Sequence, residues 1–217
     1  MIYAAHNRLL FALCRIQAVN FTLAISSIIL SGGRATRMGG ADKGLVKLQQ
    51  KPLIQHVIER LTPQVDEVLI NANREITQYQ ALGLPIFQDA HSDFIGPLAG
   101  FSLGLQQAKH DYLLTVPCDS PLLPHDLAQR LLNALITQQA DIAVASSDGN
   151  AHPVFCLCKK SVLPSLAAYL AAGERRVSNW QKSLTYTEVD FSDCSDAFVN
   201  LNTFEDLAAL ELKLRHA

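Results

Sequence analysis

The sequence predicts an α/β fold with a mostly parallel central sheet and helices on both of its faces. From residue 24 onward, short β-branched runs alternate with longer segments of helical periodicity. A helix between two strands lets the chain cross over and return in the same direction, so such strands pair in parallel. The chain has 217 residues, 49% of them hydrophobic and 18% charged, which is typical of a globular protein with a substantial core.

The first half of the sequence predicts five strands and four helices, each for a local reason. The run LAISSIIL is apolar and β-branched, as expected for a buried strand. Pro52 and Pro124 stand where helices are predicted to begin, and Gly83 closes the second helix. In chain order the predicted elements are LAISSIIL (strand), PLIQHVIERL (helix), DEVLINAN (strand), REITQYQAL (helix), LPIFQD (strand), GPLAGFSLGLQQAK (helix), DYLLTVPCD (strand), PHDLAQRLLNALITQQ (helix) and ADIAVASS (strand).

The order of the elements changes after residue 148. The turn DGN precedes a strand HPVFCLCK, a long helical segment SVLPSLAAYLAAGERRVSNWQ, a strand LTYTEVDF and a closing helix TFEDLAALELKL. We expect this part to add strands to the same sheet and a lid over its edge. Residues 24–217 are therefore predicted to form one domain, with a first half of about 24–147 and a second half of about 148–217.

Residues 1–23 stand apart from this pattern. Charged and polar residues interrupt every apolar window, so no membrane-spanning helix fits. Charge and apolar residues do not follow the order found in a signal peptide. We expect a poorly ordered extension that results from a misassigned start codon.

Charge and cysteine usage limit the classes of function. A net charge of −2 excludes a general attraction to nucleic acid or to an anionic membrane, so any anion binding must be local. The five cysteines include no C-x-x-C pair, which indicates thiols in a reducing compartment and no metal cluster. Cys156 and Cys158 alternate on one face of a strand, and Cys118 is expected to be a buried structural thiol.

The stretch LSGGRATRMGGADKGL, residues 30–45, follows the first predicted strand. Its five glycines let the backbone approach a ligand closely, and exposed N–H groups then form an anion-binding concavity. Arg34, Arg37 and Lys43 against Asp42 give a net local charge of +2, which suits a polyphosphate. The stretch matches neither G-x-x-x-x-G-K-[ST] nor G-x-G-x-x-G. A solvated loop with incidental charge is the alternative.

Polar side chains stand at the ends of the next three strands. Asn71 and Asn73 end the second strand, Asp89 the third and Asp119 the fourth. Ligands of open α/β sheets bind beyond the carboxyl ends of parallel strands, so we expect these groups at one rim.

The carboxylate of Asp119 is the predicted metal ligand. It lies between two prolines in VPCDSPLL, and a carboxylate fixed in this way can hold Mg²⁺. An N-cap of the following helix is the alternative. Asp89 would share the metal or hold a ribose hydroxyl, while Asp93 would cap the helix that starts near Gly96.

Several short motifs follow one another along the chain, and their order resembles that of a known family. They are LSGGRATRMGGADKGL, KPLIQHV, NANR, QD followed by GPLAG, PCDSP, DGNAHP, AGERRV and AFVNLNTFEDL. Together they resemble the molybdenum cofactor guanylyltransferase family over roughly residues 24 to 212. The glycine-rich start is shared with many nucleotidyltransferases, whereas DKGL, NANR and the PCDSP element in this order point to this family.

The resemblance implies a Rossmann-like nucleotidyltransferase fold and a specific reaction. Members of the family join GMP from GTP to molybdopterin that bears molybdenum, release pyrophosphate and use Mg²⁺. The attacking group is a phosphate whose second pKa is about 6, so it is already ionised near neutral pH and needs no general base. GTP and Mo-molybdopterin would be the substrates, and proteins that insert molybdenum and molybdoenzyme chaperones further partners, in the cytoplasm, without nucleic acid or membrane.

The resemblance also implies roles for residues on the nucleotide side. Arg37 and Lys43 would face the phosphates, Asp119 would bind Mg²⁺, and these three residues would carry the catalysis. Asn71 and Asp89 would hold the nucleoside. The full set expected to bind the nucleotide, with the first residues acting through their backbone, is Leu30, Ser31, Gly32, Gly33, Lys43, Asn71, Asp89 and Asp119.

Residues on the pterin side are implied in the second half of the chain. They are His152, Arg175, Arg176, Asn200 and Asn202. From the residues alone, His152 is equally explained as a surface residue, and Arg175 and Arg176 as solvated charges at a helix end.

The sequence departs from the family pattern at two positions and leaves two other functions open. Ser31 stands where the family usually has Ala, and Phe204 where a Pro often follows NT. A cytidylyltransferase acting on the same cofactor or on an alcohol phosphate would use the same scaffold. A catalytically silent regulator that binds nucleotide is the second alternative.

Overall fold

A seven-stranded sheet lies at the centre of the computed structural model, which describes residues 23–31, 42–89 and 96–215. Its strand order is β5-β4-β1-β6-β8-β7-β9, and β2 pairs with β3 in a separate small hairpin, with the following bounds. The strands are β1 (Ile25–Leu30), β2 (Lys47–Leu48), β3 (Lys51–Pro52), β4 (Glu67–Asn71), β5 (Ile86–Phe87), β6 (Tyr112–Pro117), β7 (Ile142–Ser147), β8 (Asn150–Lys159) and β9 (Tyr186–Asp190).

Helices cover both faces of this sheet. One face packs against α1, α2 and α4, and the other packs against α3, α5 and α6. Side chains of β1 alternate between the two faces, with Ile29 in the first core and Ile28 in the second. The helices are α1 (Leu53–Leu61), α2 (Ile76–Gln80), α3 (Pro97–Gln107), α4 (Leu127–Thr137), α5 (Leu163–Ala171), α6 (Val177–Lys182) and α7 (Phe204–Arg215).

The predicted fold class, a mostly parallel sheet with helices on both faces, is confirmed. Strands β4 and β6 both pair with β1 in parallel, β5 pairs with β4 in parallel, and β9 pairs with β7 in parallel. The exception within the sheet is β8, which is antiparallel to both β6 and β7. It enters between these two strands because a tight turn after β7 folds it back as a hairpin.

The long helix predicted from residue 161 to residue 181 is wrong in its extent. The structure has two shorter helices there, α5 and α6, separated by residues 172–176. Gly173 takes a positive φ of 86°, a conformation that commonly ends helices.

The closing helix α7 packs across the β2–β3 hairpin and not on the central sheet. Leu48, Leu53 and Leu201 form a third buried cluster, and apolar side chains of α7 pack against it. The chain that leads into α7 therefore passes close to the turn that precedes β2, which is the turn that carries Lys43.

The cysteines predicted to be buried thiols are buried in the structure. Cys156 and Cys158 are buried in the same core, as the alternation within their strand predicts, and Cys118 is also buried. Within the described ranges, no helix has the length and apolar character that crossing a bilayer requires. The expectation for residues 1–23 falls, except for Leu23, outside the described residues.

Candidate active site

The carboxyl ends of β1, β4 and β6 meet at one rim of the sheet. Leu30 lies in register with both Asn71 and Pro117, so the residues that follow the three strands emerge side by side. The N–H of Ser31 donates to the carbonyl of Asn71 at 2.8 Å, and the N–H of Cys118 donates to the carbonyl of Leu30 at 3.2 Å. These bonds continue the ladder past the strand ends and fix the rim.

A pocket of about 270 Å³ opens at this rim. Of the polar strand-end residues that the sequence singled out, Asn71 and Asp119 line it, whereas Asn73 and Asp89 are not in its lining. Residues from α3, β8 and the segment before α7 complete the wall. The lining residues are Leu30, Ser31, Asp42, Lys43, Asn71, Gly96, Pro97, Pro117, Cys118, Asp119, Val154, Asn200 and Asn202.

The ammonium group of Lys43 lies in this pocket between two oxygen acceptors. Its Nζ is 3.3 Å from Oδ2 of Asp119 and donates to Oδ1 of Asn202 at 2.5 Å. The three residues come from three distant parts of the chain. The structure therefore brings together Lys43 and Asp119, the two charged residues within the described ranges on which the predicted catalysis depends.

Asp119 is a buried carboxylate, with 7% of its surface exposed. Burial raises its pKa, and the nearby ammonium of Lys43 lowers it but does not fully compensate. The nearest following helix, α4, begins at Leu127 behind Asp126, so Asp119 does not cap it. A buried carboxylate whose charge is only partly compensated is a suitable ligand for a further cation.

Lys43, Asp119 and Asn202 form one polar group at this rim. Asn71 and Asp89 belong to a second polar group. Asn71 is almost fully buried, and its Nδ2 donates to Oδ1 of Asp89 at 2.9 Å. Asn73 completes the group, because its Nδ2 donates to Oδ2 of Asp89 at 2.7 Å and its Oδ1 accepts the N–H of Asp89 at 2.8 Å. The Asp89 carboxylate is thus fixed in orientation by two amides. Among the described residues each oxygen accepts one side-chain hydrogen bond, and a carboxylate oxygen can also accept from a ligand hydroxyl.

Helix α3 packs closely against Asn71 and Leu30 at a glycine. A Cβ at Gly100 would lie 2.7 Å from Oδ1 of Asn71 and 2.5 Å from a methyl carbon of Leu30. We expect Gly100→Ala to displace the Asn71 amide and to raise the KM for nucleotide about tenfold, the order of one lost hydrogen bond. Steady-state kinetics and thermal melting would measure this.

Gly104→Ala is the matched control for that prediction. It adds a methyl group to the same helix at 2.8 Å from Cγ2 of Ile28, in the core and away from the pocket. It should lower Tm while leaving the KM for nucleotide unchanged. Equal KM values for the two variants would show that Gly100 does not act through Asn71.

Asn200 and Asn202 lie in the same pocket as Lys43 and Asp119. Oδ1 of Asn200 accepts a hydrogen bond from the Ser120 hydroxyl at 2.7 Å, and the N–H of Leu201 donates to the carbonyl of Asp119 at 3.1 Å. The segment before α7 is therefore tied to the Asp119 loop through both side chain and backbone. These two asparagines, expected on the pterin side, are placed beside the residues expected to face the phosphates.

The structure does not bring the other three pterin-side candidates into the pocket lining. His152 stacks on Phe198 with ring centroids 4.6 Å apart, its Nε2 lies 2.7 Å from the Ser147 hydroxyl, and burial lowers its pKa. Arg175 donates to backbone carbonyls at the end of α5, and Arg176 is exposed where α6 begins. Their expected contact with a pterin remains a prediction.

Several residues of the expected site fall in the gap between residues 31 and 42. Gly32, Gly33, Arg34 and Arg37 lie outside the described residues, and so does Asp93. Asp42 enters the sequence-based prediction only as a charge, whereas in the structure its carboxylate accepts the N–H of Gly44 at 3.1 Å. The signal for this role was available, because Asp directly before a glycine-containing turn is a frequent cap.

The pocket fits a metal ion that takes most of its ligands from elsewhere. Among residues 23–31, 42–89 and 96–215, no three His, Cys, Asp or Glu side chains are grouped closely enough to hold a metal. Asp119 supplies one buried carboxylate at the pocket wall. Mg²⁺ is commonly held by one or two carboxylates together with water and substrate phosphates, so a single carboxylate of this kind is compatible with it.

Comparison with known proteins gives concordant results. A family model described as a MobA-like NTP transferase domain matches residues 27–186. The molybdenum cofactor guanylyltransferase of Shewanella putrefaciens is 51% identical over 184 residues, 85% of this chain and 94% of that protein. The enzyme of the same name from Polynucleobacter asymbioticus is 50% identical over 194 residues, 88% of this chain and 97% of that protein.

A solved structure is also similar in fold. Molybdopterin-guanine dinucleotide biosynthesis protein A from Archaeoglobus fulgidus superposes with a TM-score of 0.73 at 20% identity. The match covers 88% of this chain and all of that one. At this level of identity the likeness concerns the fold, and it supports the nucleotidyltransferase architecture.

Proposed function

Because the chain belongs to the molybdenum cofactor guanylyltransferase family and contains its MobA-like NTP transferase domain, we propose that it transfers GMP from GTP to Mo-molybdopterin. Pyrophosphate is the second product. The observation that carries the proposal is the meeting of Lys43 and Asp119, 3.3 Å apart, in a pocket at the carboxyl ends of the parallel strands. This is the edge at which open α/β sheets bind their ligands.

The reaction asks the protein for positioning and charge compensation. A phosphate oxygen of molybdopterin displaces pyrophosphate from the α-phosphorus of GTP, and this oxygen is already ionised near neutral pH because its pKa is about 6. Two anions must nevertheless be brought together in line, and their repulsion is the main obstacle. A pocket that presents a fixed cation to the phosphates meets this requirement without a general base.

Lys43 is the described cation that is placed to do this. An ammonium group has three N–H donors, and two of them are directed at Asp119 and Asn202 within the described part of the chain. The third would donate to a phosphate oxygen of GTP. Asp119 and Asn202 thus orient the ammonium group before the substrate arrives, and preorganised charge of this kind lowers the barrier.

Asp119 is the residue proposed to hold Mg²⁺. When bound, the ion would stabilise the negative charge of the substrate phosphates. The carboxylate is suited to this role because it is buried at the pocket wall and its pKa is raised by that burial, so a cation relieves an existing cost.

The nucleoside is assigned to the second polar group. Asp89, fixed by Asn71 and Asn73, presents carboxylate oxygens to the ribose hydroxyls, and the backbone at Leu30 and Ser31 faces the base. These assignments place the nucleoside over β1 and β4 and the phosphates toward Lys43. The pterin would then approach from the second half of the chain, and the reaction would take place in the cytoplasm.

A pyrophosphate-release assay tests the proposal. Each of the four nucleoside triphosphates is incubated with the protein, with and without Mo-molybdopterin and Mg²⁺. We expect release with GTP only when both molybdopterin and Mg²⁺ are present. Release with CTP in place of GTP would identify a cytidylyltransferase, and binding of GTP without release under any condition would identify a silent regulator.

A further inference from the structure

A buried phenol lies beneath the turn that carries Lys43. Tyr79, in α2, has no exposed surface, and its hydroxyl donates to Oδ1 of Asp42 at 2.5 Å. Burial raises the pKa of Tyr79 far above its ordinary value, so the phenol remains protonated and acts as a donor. Neither residue belongs to the set that the sequence assigned to nucleotide or pterin.

The Asp42 carboxylate in turn fixes the start of the turn. The oxygen that accepts from Tyr79 also accepts the N–H of Gly44 at 3.1 Å. The backbone closes around the same residue, since the N–H of Leu45 donates to the carbonyl of Asp42 at 3.1 Å. Lys43 is thus the first residue of a short 3-10 turn whose cap is itself held by Tyr79.

The close approach of the phenol to the turn leaves no room for a side chain at Gly44. A Cβ there would lie 2.6 Å from the Tyr79 hydroxyl and 3.3 Å from Sγ of Cys118. The turn is therefore packed directly against the Tyr79 phenol and against Cys118, which precedes Asp119. Because this contact is close-packed, a change at the phenol is expected to shift the turn that carries Lys43.

We propose that Tyr79 is a positioning residue that acts through Asp42 to hold the Lys43 ammonium at Asp119 and Asn202. The inference rests on the proposed function, because Lys43 matters only if phosphates bind beside it. Tyr79 does not itself line the pocket, but its hydroxyl lies beside Asp42 and Ser31, which do. A background that lacks Lys43 therefore separates an effect that acts through Lys43 from one that acts through Ser31.

The test is a double-mutant cycle of Tyr79→Phe and Lys43→Ala, read in pyrophosphate release and in the Kd for GTP with Mg²⁺. Phenylalanine fills the same space and removes one hydroxyl, so the variant should fold, with Tm lowered modestly by the lost hydrogen bond to Asp42. In the native background we expect kcat to fall about tenfold, as for one lost hydrogen bond to a charged group. In the Lys43→Ala background the same substitution should have no further effect.

Tyr186→Phe is the matched control. Its hydroxyl donates to a carboxylate oxygen of Glu188 at 2.6 Å on β9, outside the pocket lining, and its loss should leave kcat unchanged. Asp42→Asn provides a second variant, which should lower kcat and show no additional loss when combined with Tyr79→Phe.

The outcomes separate the two proposals. A loss in the Tyr79→Phe variant that persists unchanged in the Lys43→Ala background, or no loss at all, would overturn the positioning role. Native protein that releases no pyrophosphate would refute the proposed function. The Kd cycle would then still decide whether Tyr79 positions Lys43, since GTP binding can be measured without turnover.

Discussion

Asp119→Ala should lower the rate of GMP transfer by about 10³-fold or more at saturating Mg²⁺, because it removes both the proposed metal ligand and an acceptor of Lys43. The loss should appear in kcat and should not be recovered by raising the Mg²⁺ concentration. Single-turnover pyrophosphate release would measure it. Near-normal turnover of the variant at saturating Mg²⁺ would refute the metal assignment.

Asp119→Asn is the control that separates function from folding. Burial raises the pKa of Asp119 in the folded protein, so its charged form destabilises the fold above that pKa, and this cost disappears as the pH falls below the ordinary aspartate value of about 3.9. An uncharged asparagine avoids the cost. We expect the nucleotide-free variant to be at least as stable as the native protein at neutral pH, with a difference in Tm that shrinks on acidification, and yet to be inactive.

Lys43→Ala has the second largest expected effect, a loss of about 10²- to 10³-fold in kcat, comparable to removing one preorganised donor from a charged transition state. The variant leaves Asp119 without its cationic neighbour, so the pKa of that carboxyl should rise further. Rapid-quench measurement of GMP transfer would determine the loss of rate.

Lys51→Ala serves as the matched control for this variant. Lys51 is a partly exposed lysine that pairs with Glu59 at 2.7 Å outside the pocket lining, and an exposed pair of this kind contributes little. Its removal should leave kcat unchanged. If both lysine variants retained native rates, Lys43 would not be the residue that meets the phosphates.

The arrangement of the rim was predictable because it follows from local patterns. The apolar run before residue 31, and the polar residues Asn71, Asp89 and Asp119 after successive strands, are each visible in the sequence, and parallel pairing brings strand ends to one edge. The glycine-rich stretch with Lys43 could also be placed at this edge, since it directly follows the first strand.

Other features depend on contacts between distant parts of the chain. Strand β8 enters between β6 and β7, although its apolar pattern alone is equally compatible with the edge of the sheet. Asn202 reaches Lys43 across 159 positions because α7 packs on the β2–β3 hairpin. The periodicity of apolar residues predicts local helices and strands, and it does not indicate which distant residues will be in contact.

The break between α5 and α6 could not be predicted from the sequence pattern, for a different reason. Residues 161–181 are largely apolar or helix-favouring, and one glycine within such a pattern is often tolerated. The left-handed conformation that Gly173 adopts, together with the carbonyls capped by Arg175, ends the helix there. The hydrogen bond between Tyr79 and Asp42 also could not be predicted. It joins residues 37 positions apart, and the sequence around each residue does not indicate the other as its partner.

The proposed reaction requires one nucleotide to bind between Lys43 and a divalent ion on Asp119. A crystal structure with a non-hydrolysable GTP analogue and Mn²⁺, whose anomalous scattering locates the ion, tests it most directly. We expect the ion to bind to the Asp119 carboxylate and a phosphate oxygen to lie on the Lys43 ammonium. Phosphates bound elsewhere, with the pocket at the ends of β1 and β6 unchanged, would contradict it.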